Sequence, residues 1–426
     1  MRDPFFAQLI ADHDAGAPRG LVSVCSAHPL VIEAALSYGR QSDGPVLIEA
    51  TCNQVNQDGG YTGMTPADFR DFVLAIAEQT GFDSKKLILG GDHLGPNPWR
   101  DLPAHQAMEK AQAMIAAYAE AGFSKIHLDA SMECADDASP LPGPTIAARA
   151  AALAATAERH GNGQILSYVI GTEVPVPGGA TGHVADLEVT APTDAAQTVA
   201  EHREAFAQAG IGEVFERVVG LVVQPGVEFG HENVVLYDRE AARDLSAARK
   251  PLGMVFEAHS TDYQTCEGLA GLVEDGFAIL KVGPWLTFAL REALYGLDLI
   301  AQEMFGQSSL RSGMEALMNS EPSHWQRYYH GDATAQRIQR HYSYSDRIRY
   351  YWAKPEAQQL LDELLARFGE QPIPETLISQ YLSPVWPAVA AGKVPTSRRE
   401  LLLHAVKVVL MKYASAVRAD TRTAAL

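Results

Sequence analysis

Short apolar runs rich in β-branched residues recur along the chain, each ending in polar or glycine residues and followed by an alanine-rich stretch of helical spacing. In order they occupy residues 20–28, 45–53, 87–93, 125–132, 164–173, 217–224, 252–259 and 278–284. The stretches between them include 66–80, 105–121, 145–160 and 194–209. Near-continuous apolar strands alternating with amphipathic helices predict a parallel sheet covered on its outer face. Eight such units fit a closed (β/α)8 barrel better than an open doubly wound sheet, with a nine-strand open sheet as the less favoured alternative. After about residue 300 the rhythm gives way to helical segments with aromatic and basic clusters, HWQRYYH and HYSYSDRIRYYW, punctuated by prolines. The expected organisation is a barrel over 1–300 and a helical extension over 301–426, packed on the barrel mouth or forming a subunit contact.

Each run carries polar residues at its C-terminal end: His28, Glu49 and Asn53, Asp92 and His93, Asp129 and Glu133, Glu173, Gln224, His259, Lys281. In a barrel these ends open on one face, where active sites are built. Singly, any of them is equally well a helix cap or turn former. The sharpest motif is LGGDHLGPN. Successive residues of an extended strand point to opposite faces, so Asp92 and His93 can share the mouth only if the strand end departs from extended geometry. Gly90, Gly91 and Gly95 permit that departure. An imidazole beside a carboxylate suits a metal ligand next to a general base. A set of His93, Glu173 and His259 on strands three, five and seven then suits zinc or a similar divalent ion, with Asp92, Asp129 and Glu133 as catalytic carboxylates.

Composition narrows the function. The net charge of −18 argues against nucleic-acid or anionic-membrane binding, so an anionic substrate must be held by a few local donors. Around the ends of strands seven and eight, where barrels often hold phosphate, stand Ser260, Thr261 and Lys281; the SYSDRIR segment adds Ser343 and Arg347. Glu49 and Asn53 complete the expected substrate contacts. No phosphate loop or dinucleotide fingerprint is present, which disfavours nucleotide chemistry. The four cysteines form no CxxC pair, no run approaches the roughly 18 apolar residues of a membrane span, and the N-terminus does not read as a secretory leader, so a reducing cytoplasm is expected.

The segments LGGDHLGPNPW, LIEATCNQVNQDGGYTGMTP, HLDASMEC, GTEVPVPGG, VVQPGVEFGHENV, EAHSTDYQ, LKVGPWLTFALREALY and HYSYSDRIRYYW together resemble the GatZ/KbaZ family of tagatose-bisphosphate aldolase subunits, over nearly the whole chain. That family is similar to the class II aldolases, metal-dependent (β/α)8 barrels in which an Asp–His pair ends strand three and a second metal histidine ends strand seven. Asp92–His93 and His259 stand at those places. The aldolase pattern GT-x-H-G reads GTEVP here, so Glu173 stands where a histidine ligand is expected. Members of the family are described as noncatalytic aldolase partners, as tagatose-6-phosphate kinases, and as 4-epimerases interconverting D-tagatose 6-phosphate and D-fructose 6-phosphate. The resemblance is to the epimerase type, and implies a phosphorylated ketohexose substrate and a divalent ion, zinc ahead of manganese, cobalt or magnesium. A class II aldolase subunit and self-association into a homo-oligomer are the expected partners.

Overall fold

The computed structural model describes residues 1–172 and 187–418. All eight anticipated runs form barrel strands: β1 (Leu21–Cys25), β2 (Val46–Thr51), β3 (Leu87–Leu94), β4 (Lys125–Leu128), β5 (Ser167–Ile170) and β6 (Val218–Val223). A short antiparallel ribbon, β7 (Glu228–Phe229) with β8 (Val234–Val235), rises after β6, and β9 (Val255–Ala258) and β10 (Phe277–Val282) complete the wall. Every neighbouring pair in the barrel is parallel, and β10 closes on β1 with Leu21 opposite Ile279. The fold is a TIM barrel.

Its outer ring is α2 (Pro29–Ser42), α3 (Pro66–Thr80), α4 (Ala104–Glu120), α5 (Gly143–His160), α6 (Pro192–Gln208), α7 (Arg239–Leu252), α8 (Cys266–Glu274) and α9 (Pro284–Phe305). Several of these start on proline, whose fixed φ suits a first helical turn and whose missing N–H has no partner to lose there. The following segment carries α10 (Leu310–Ser320), α11 (Ala333–Tyr342), α12 (Pro355–Phe368), α13 (Glu375–Tyr381), α14 (Trp386–Ala390) and α15 (Arg398–Val417). It does not stand apart, because α15 returns to pack along α2, α8 and α9. Among the described residues no helix is long and apolar enough to cross a membrane.

Alternation along the strands sorts the barrel interior into layers. At the N-terminal end, Leu21, Leu47, Val169, Val255 and Ile279 form a buried cluster with Phe6, Leu9 and Ile10 of α1 (Pro4–Asp14), which plugs the barrel from below. Two residues further along the same strands stand Ser23, Glu49, Glu257 and Lys281, joined by Lys125. Two further still, Cys25, Thr51, His259 and His127 reach the mouth, with Asp92 beside them. Period two therefore converts an apolar floor into a charged layer and then into a site.

Candidate functional site

The charged layer is fully buried. Lys125 Nζ bridges Glu49 Oε1 at 2.7 Å and Glu257 Oε2 at 2.8 Å, and the Ser23 hydroxyl donates to Glu49. Gly90 is required here, since a Cβ on it would lie 2.4 Å from the Glu49 carboxylate. One step higher, Asp92 is ion-paired with Lys281. Burial pushes the Asp92 carboxyl up, but the His93 and Lys281 charges and a bond from His127 outweigh it and hold the group well below the usual range. Burial pushes Lys281 down, and the charge of Asp92, reinforced by neighbouring acids, more than reverses it.

The bend that the Asp92–His93 pair demands is present. His93 adopts φ 48°, in the left-handed region, and the register between β3 and β4 shifts between Gly91 and Leu94. This bulge turns both side chains inward. Ser260, which follows His259, is left-handed too, at φ 53°. Gly95 lets the strand end approach β4 closely; a Cβ there would overlap the Asp129 carbonyl at 1.6 Å.

Three imidazoles meet at this level, with ring centroids 4.9 Å apart for His93 and His259 and 5.2 Å for His127 to each of the others. Each is held by a carboxylate through one nitrogen. His93 Nδ1 donates to Asp129 at 2.7 Å, and His259 Nε2 donates to Glu257 at 3.1 Å. His127 Nδ1 lies 2.9 Å from Asp92 Oδ1 and 3.2 Å from the His93 amide. The nearer carboxylate, an acceptor only, places the ring proton on Nδ1. The opposite nitrogens, His127 Nε2 and His259 Nδ1, are buried without any partner, and His93 Nε2 is 3.6 Å from Asp92 Oδ2. Burial, aided by the Lys281 charge, lowers the His259 pKa to about 3, so its ring is neutral at physiological pH. Donor atoms of Asp92, His127, Glu257 and His259 all lie within 4.8 Å of one another.

Together with His93, whose ring lies beside those of His127 and His259, this cluster fits a divalent cation. Rings oriented by carboxylates, with nitrogens such as His127 Nε2 and His259 Nδ1 left bare, are the usual arrangement of metal-binding histidines. The local charge agrees: four buried carboxylates, Glu49, Asp92, Asp129 and Glu257, stand against two lysines, Lys125 and Lys281, which favours a cation among the imidazoles.

Above this floor lies a cavity bordered by Cys25, Thr51, Asn53, Gln54, Tyr61, Asp92, His93, Phe229, His259, Ser260, Asp262, Lys281 and Gly283, with Arg349 and Tyr350. Of the residues anticipated from sequence, Asp92, His93, His259, Asn53, Ser260 and Lys281 therefore meet in one place. The others lie elsewhere. Asp129 is behind His93, with Oδ1 accepting from the Ser131 hydroxyl at 2.6 Å, so both its oxygens are occupied. Glu49 is in the layer below. Glu133 is half-buried in the loop after β4 and does not border the cavity. Thr261 turns away to donate to the Lys281 carbonyl at 2.5 Å. Ser343 is bonded to Ser345 at 2.9 Å, and Arg347 lies on the Tyr328 ring and donates to the His324 carbonyl. Glu173 lies outside the described residues.

Arg349, two positions on, is the guanidinium that reaches the mouth. It sits on a single 3-10 turn (Arg347–Tyr351) introduced by Asp346, itself left-handed at φ 43° and bonded to Thr287 at 2.7 Å and Arg291 at 3.2 Å on α9. Its bonds go to the Ser345 and Asp346 carbonyls and the Tyr350 hydroxyl, and it forms no ion pair with a carboxylate among the described residues. Tyr350 packs edge-on against Tyr61 at 4.8 Å, joining the helical extension to the loop after β2. Asp262 accepts from the Gly283 and Trp285 amides at 3.0 and 2.8 Å, fixing the start of α9; burial raises it to about 6. Sequence reasoning passed over His127, Glu257, Lys125 and Tyr61, and of the two guanidiniums of SYSDRIR it singled out Arg347 where Arg349 borders the cavity. The spacing of two in K-x-H-x-D and E-x-H, which puts each set on one strand face, was the available signal for the first three.

Residues 6–418 match the family described as D-tagatose-1,6-bisphosphate aldolase subunit GatZ/KbaZ-like. The chain is 55% identical over 419 residues to a protein of Agrobacterium fabrum strain C58 named D-tagatose 6-phosphate 4-epimerase, covering 96% of this chain and 97% of that one. It is also similar to a crystal structure from Sinorhizobium meliloti 1021 called a probable tagatose 6 phosphate kinase, at 57% identity and a TM-score of 0.87, covering 93% of this chain and 100% of that one.

Proposed function

The chain belongs to the GatZ/KbaZ-like family, and from that premise we propose that it is a metal-dependent epimerase that inverts C4 of a phosphorylated ketohexose, interconverting D-tagatose 6-phosphate and D-fructose 6-phosphate. One observation carries the reading beyond likeness to a named relative: three carboxylate-held imidazoles converge beneath a cavity that also exposes Lys281 and Arg349. A chain built only to support a partner has no use for that cluster. A kinase needs a nucleotide site, and the motifs for one are missing from the sequence. Phosphorylated sugars are intracellular metabolites, so we place the protein in the cytoplasm.

C4 is not α to the C2 carbonyl, so deprotonation at that carbon is not activated. Opening the C3–C4 bond is. Asp92, on the cavity floor, accepts the C4 hydroxyl proton as the C4 carbonyl forms. The electrons of the C3–C4 bond pass to C3 and the C2 carbonyl, giving the enediolate of a three-carbon fragment and a phosphorylated aldehyde. Rotation of the aldehyde presents its other face; the bond re-forms, and Asp92 returns the proton to the C4 oxygen. His93, His127 and His259 would hold a divalent ion, which supplies Lewis-acid polarisation of the C2 carbonyl; an imidazole-rich set favours zinc over magnesium. Lys281 keeps Asp92 ionised and balances charge on the sugar oxygens. Tyr61, Tyr350 and Phe229 wall the cavity and exclude water, which keeps the two fragments together.

The test is an assay of the purified chain with D-tagatose 6-phosphate, with and without chelator and with and without ATP. Conversion that needs divalent metal and ignores ATP is expected. ATP-dependent turnover, or no turnover until an aldolase is added, rejects the proposal. Solvent deuterium appearing at C4 would reject bond cleavage in favour of proton exchange at carbon.

A further inference from the structure

A second, smaller cavity opens beside the first and shares Cys25, Gln54, Tyr61, Gly283 and Arg349 with it. Its own walls are His28, at the start of α2, and Trp352, at the end of the turn that carries Arg349. Both residues have a buried polar atom without a partner: His28 Nε2 and Trp352 Nε1. His28 is 9% exposed and Trp352 is 2% exposed. Orphaned buried donors cost free energy and call for a ligand or an ordered water.

The chemistry of this cavity is one-sided. His28 Nδ1 accepts from the Leu30 amide at 3.3 Å, so the neutral ring carries its proton on Nε2 and presents a donor. Burial lowers the His28 pKa to about 4, consistent with that neutral form. Indole Nε1 can only donate, and the Arg349 guanidinium only donates. The N-terminus of α2 adds a favourable field for negative charge, although its first-turn amides are already bonded, so it supplies field rather than hydrogen bonds. Two neutral donors, a guanidinium and a helix N-terminus, with no carboxylate among the bordering residues, specify a compact anion. At roughly 60 Å3 the cavity has room for a tetrahedral group.

We propose that this side cavity is the phosphate subsite of the enzyme, with His28 Nε2, Trp352 Nε1 and Arg349 donating to the phosphoryl oxygens. This rests on the epimerase reading for its substrate but on the cavity alone for its ligand. It moves the phosphate from the ends of strands seven and eight, where barrel convention put it, to a corner between the end of β1 and the helical extension. The sugar then spans from His28 toward the imidazole cluster, and the extension, through Arg349 and Trp352, selects phosphorylated over free ketohexoses.

The test uses the full chain and inorganic phosphate as probe, by titration calorimetry, alongside KM for D-tagatose 6-phosphate and for unphosphorylated D-tagatose. Two variants remove one donor each with limited disturbance: W352F keeps an aromatic ring, and H28N keeps a cap for α2. Each is expected to weaken phosphate binding about tenfold, hydrogen bonds to a charged group being the stronger kind. Each should raise KM for the phosphorylated sugar by a similar factor and KM for free D-tagatose by much less. Folded variants that bind phosphate like the parent, or lose both sugars equally, overturn the subsite, as does a parent chain that binds no phosphate at millimolar concentration. Phosphate binding that depends on both residues in a chain without epimerase activity would leave the anion site standing and remove the proposed reaction; normal epimerisation with KM unmoved in both variants would do the reverse.

Discussion

Lys125→Met isolates the buried charge layer. The ammonium lies between Glu49 and Glu257, all three fully buried, and Met keeps the length of the side chain without its charge. Breaking a buried ion pair by removing one partner costs about 3–5 kcal/mol, because the remaining charge is left uncompensated. With an unfolding entropy of roughly 2.1 cal/mol/K per residue, a chain of 426 residues shifts its melting temperature by about 1 °C per kcal/mol, so the expected drop is about 3–6 °C. The pH dependence gives the sharper check. In the parent, burial raises Glu257, but the Lys125 charge and the His259 bond hold it below its unfolded value, so its stabilisation is present above about pH 4.5 and fades as pH falls. In the variant burial dominates, the folded pKa rises above the unfolded one, and ionisation becomes a penalty that grows as pH rises. The melting-temperature gap should therefore widen from pH 5 to pH 8, measured by calorimetry in excess divalent metal. K125M/E257Q should close part of the gap. Activity should fall as well, since Glu257 orients His259. A gap that stays constant with pH, or no gap at all, refutes the claim that this lysine serves as a buried counter-ion.

Three other outcomes are expected. Asp129→Ala frees the His93 ring and should lower divalent-metal affinity by about 10–100-fold, read by competition with a metallochromic chelator, while melting in excess metal changes little. Arg349→Ala should raise KM for the phosphorylated sugar at least about tenfold, as loss of a charge-assisted contact does, with kcat much less affected in steady-state assays. Glu228, raised by burial to about 7, is protonated in the folded state near neutral pH; its folded pKa exceeds the unfolded one, so stability it supplies below about pH 4.5 is lost as pH rises through about 7. Glu228→Gln should then melt with the parent at pH 4.5 and above it at pH 8.5.

The barrel was legible because its strands are buried on both faces, and an apolar run bounded by polar residues survives any detail of register. Asp92 and His93 were legible for a local reason: two adjacent polar residues between glycines imply a bulge, and the left-handed His93 supplies it. Lys125, His127 and Glu257 were legible only as members of one strand face through their spacing of two, since their partners Glu49 and Asp92 come from strands far apart in sequence. Thr261 and Ser260 show the limit of reasoning by residue type, because Thr261 spends its hydroxyl on the Lys281 carbonyl while its neighbour Ser260 borders the cavity. In the extension, Arg347 and Arg349 share one turn, and only its geometry, set by Asp346 against Arg291 and Thr287, decides which of them reaches the mouth.

These features divide the barrel between stability and chemistry. A left-handed, non-glycine residue costs about 1–2 kcal/mol, and both His93 and Ser260 adopt that conformation at the mouth, beside a layer of buried charge. Such a region cannot be the source of the fold's stability. Apolar burial is, in the layer between strands and helices and at the opposite end, where Phe6, Leu9 and Ile10 of α1 seal a floor with Leu21, Leu47, Val255 and Ile279, free of charge and of backbone strain. Strand alternation connects the two along β1, β2, β9 and β10, which begin in that floor and lead to Cys25, Thr51, His259 and Lys281. Truncating Leu47 should consequently lower the melting temperature while leaving KM unchanged, whereas changes at His28, Arg349 or Asp129 should move ligand affinity while leaving the melting temperature nearly fixed. The barrel tolerates a strained and charged mouth because its stability is generated in the apolar layers around and below it.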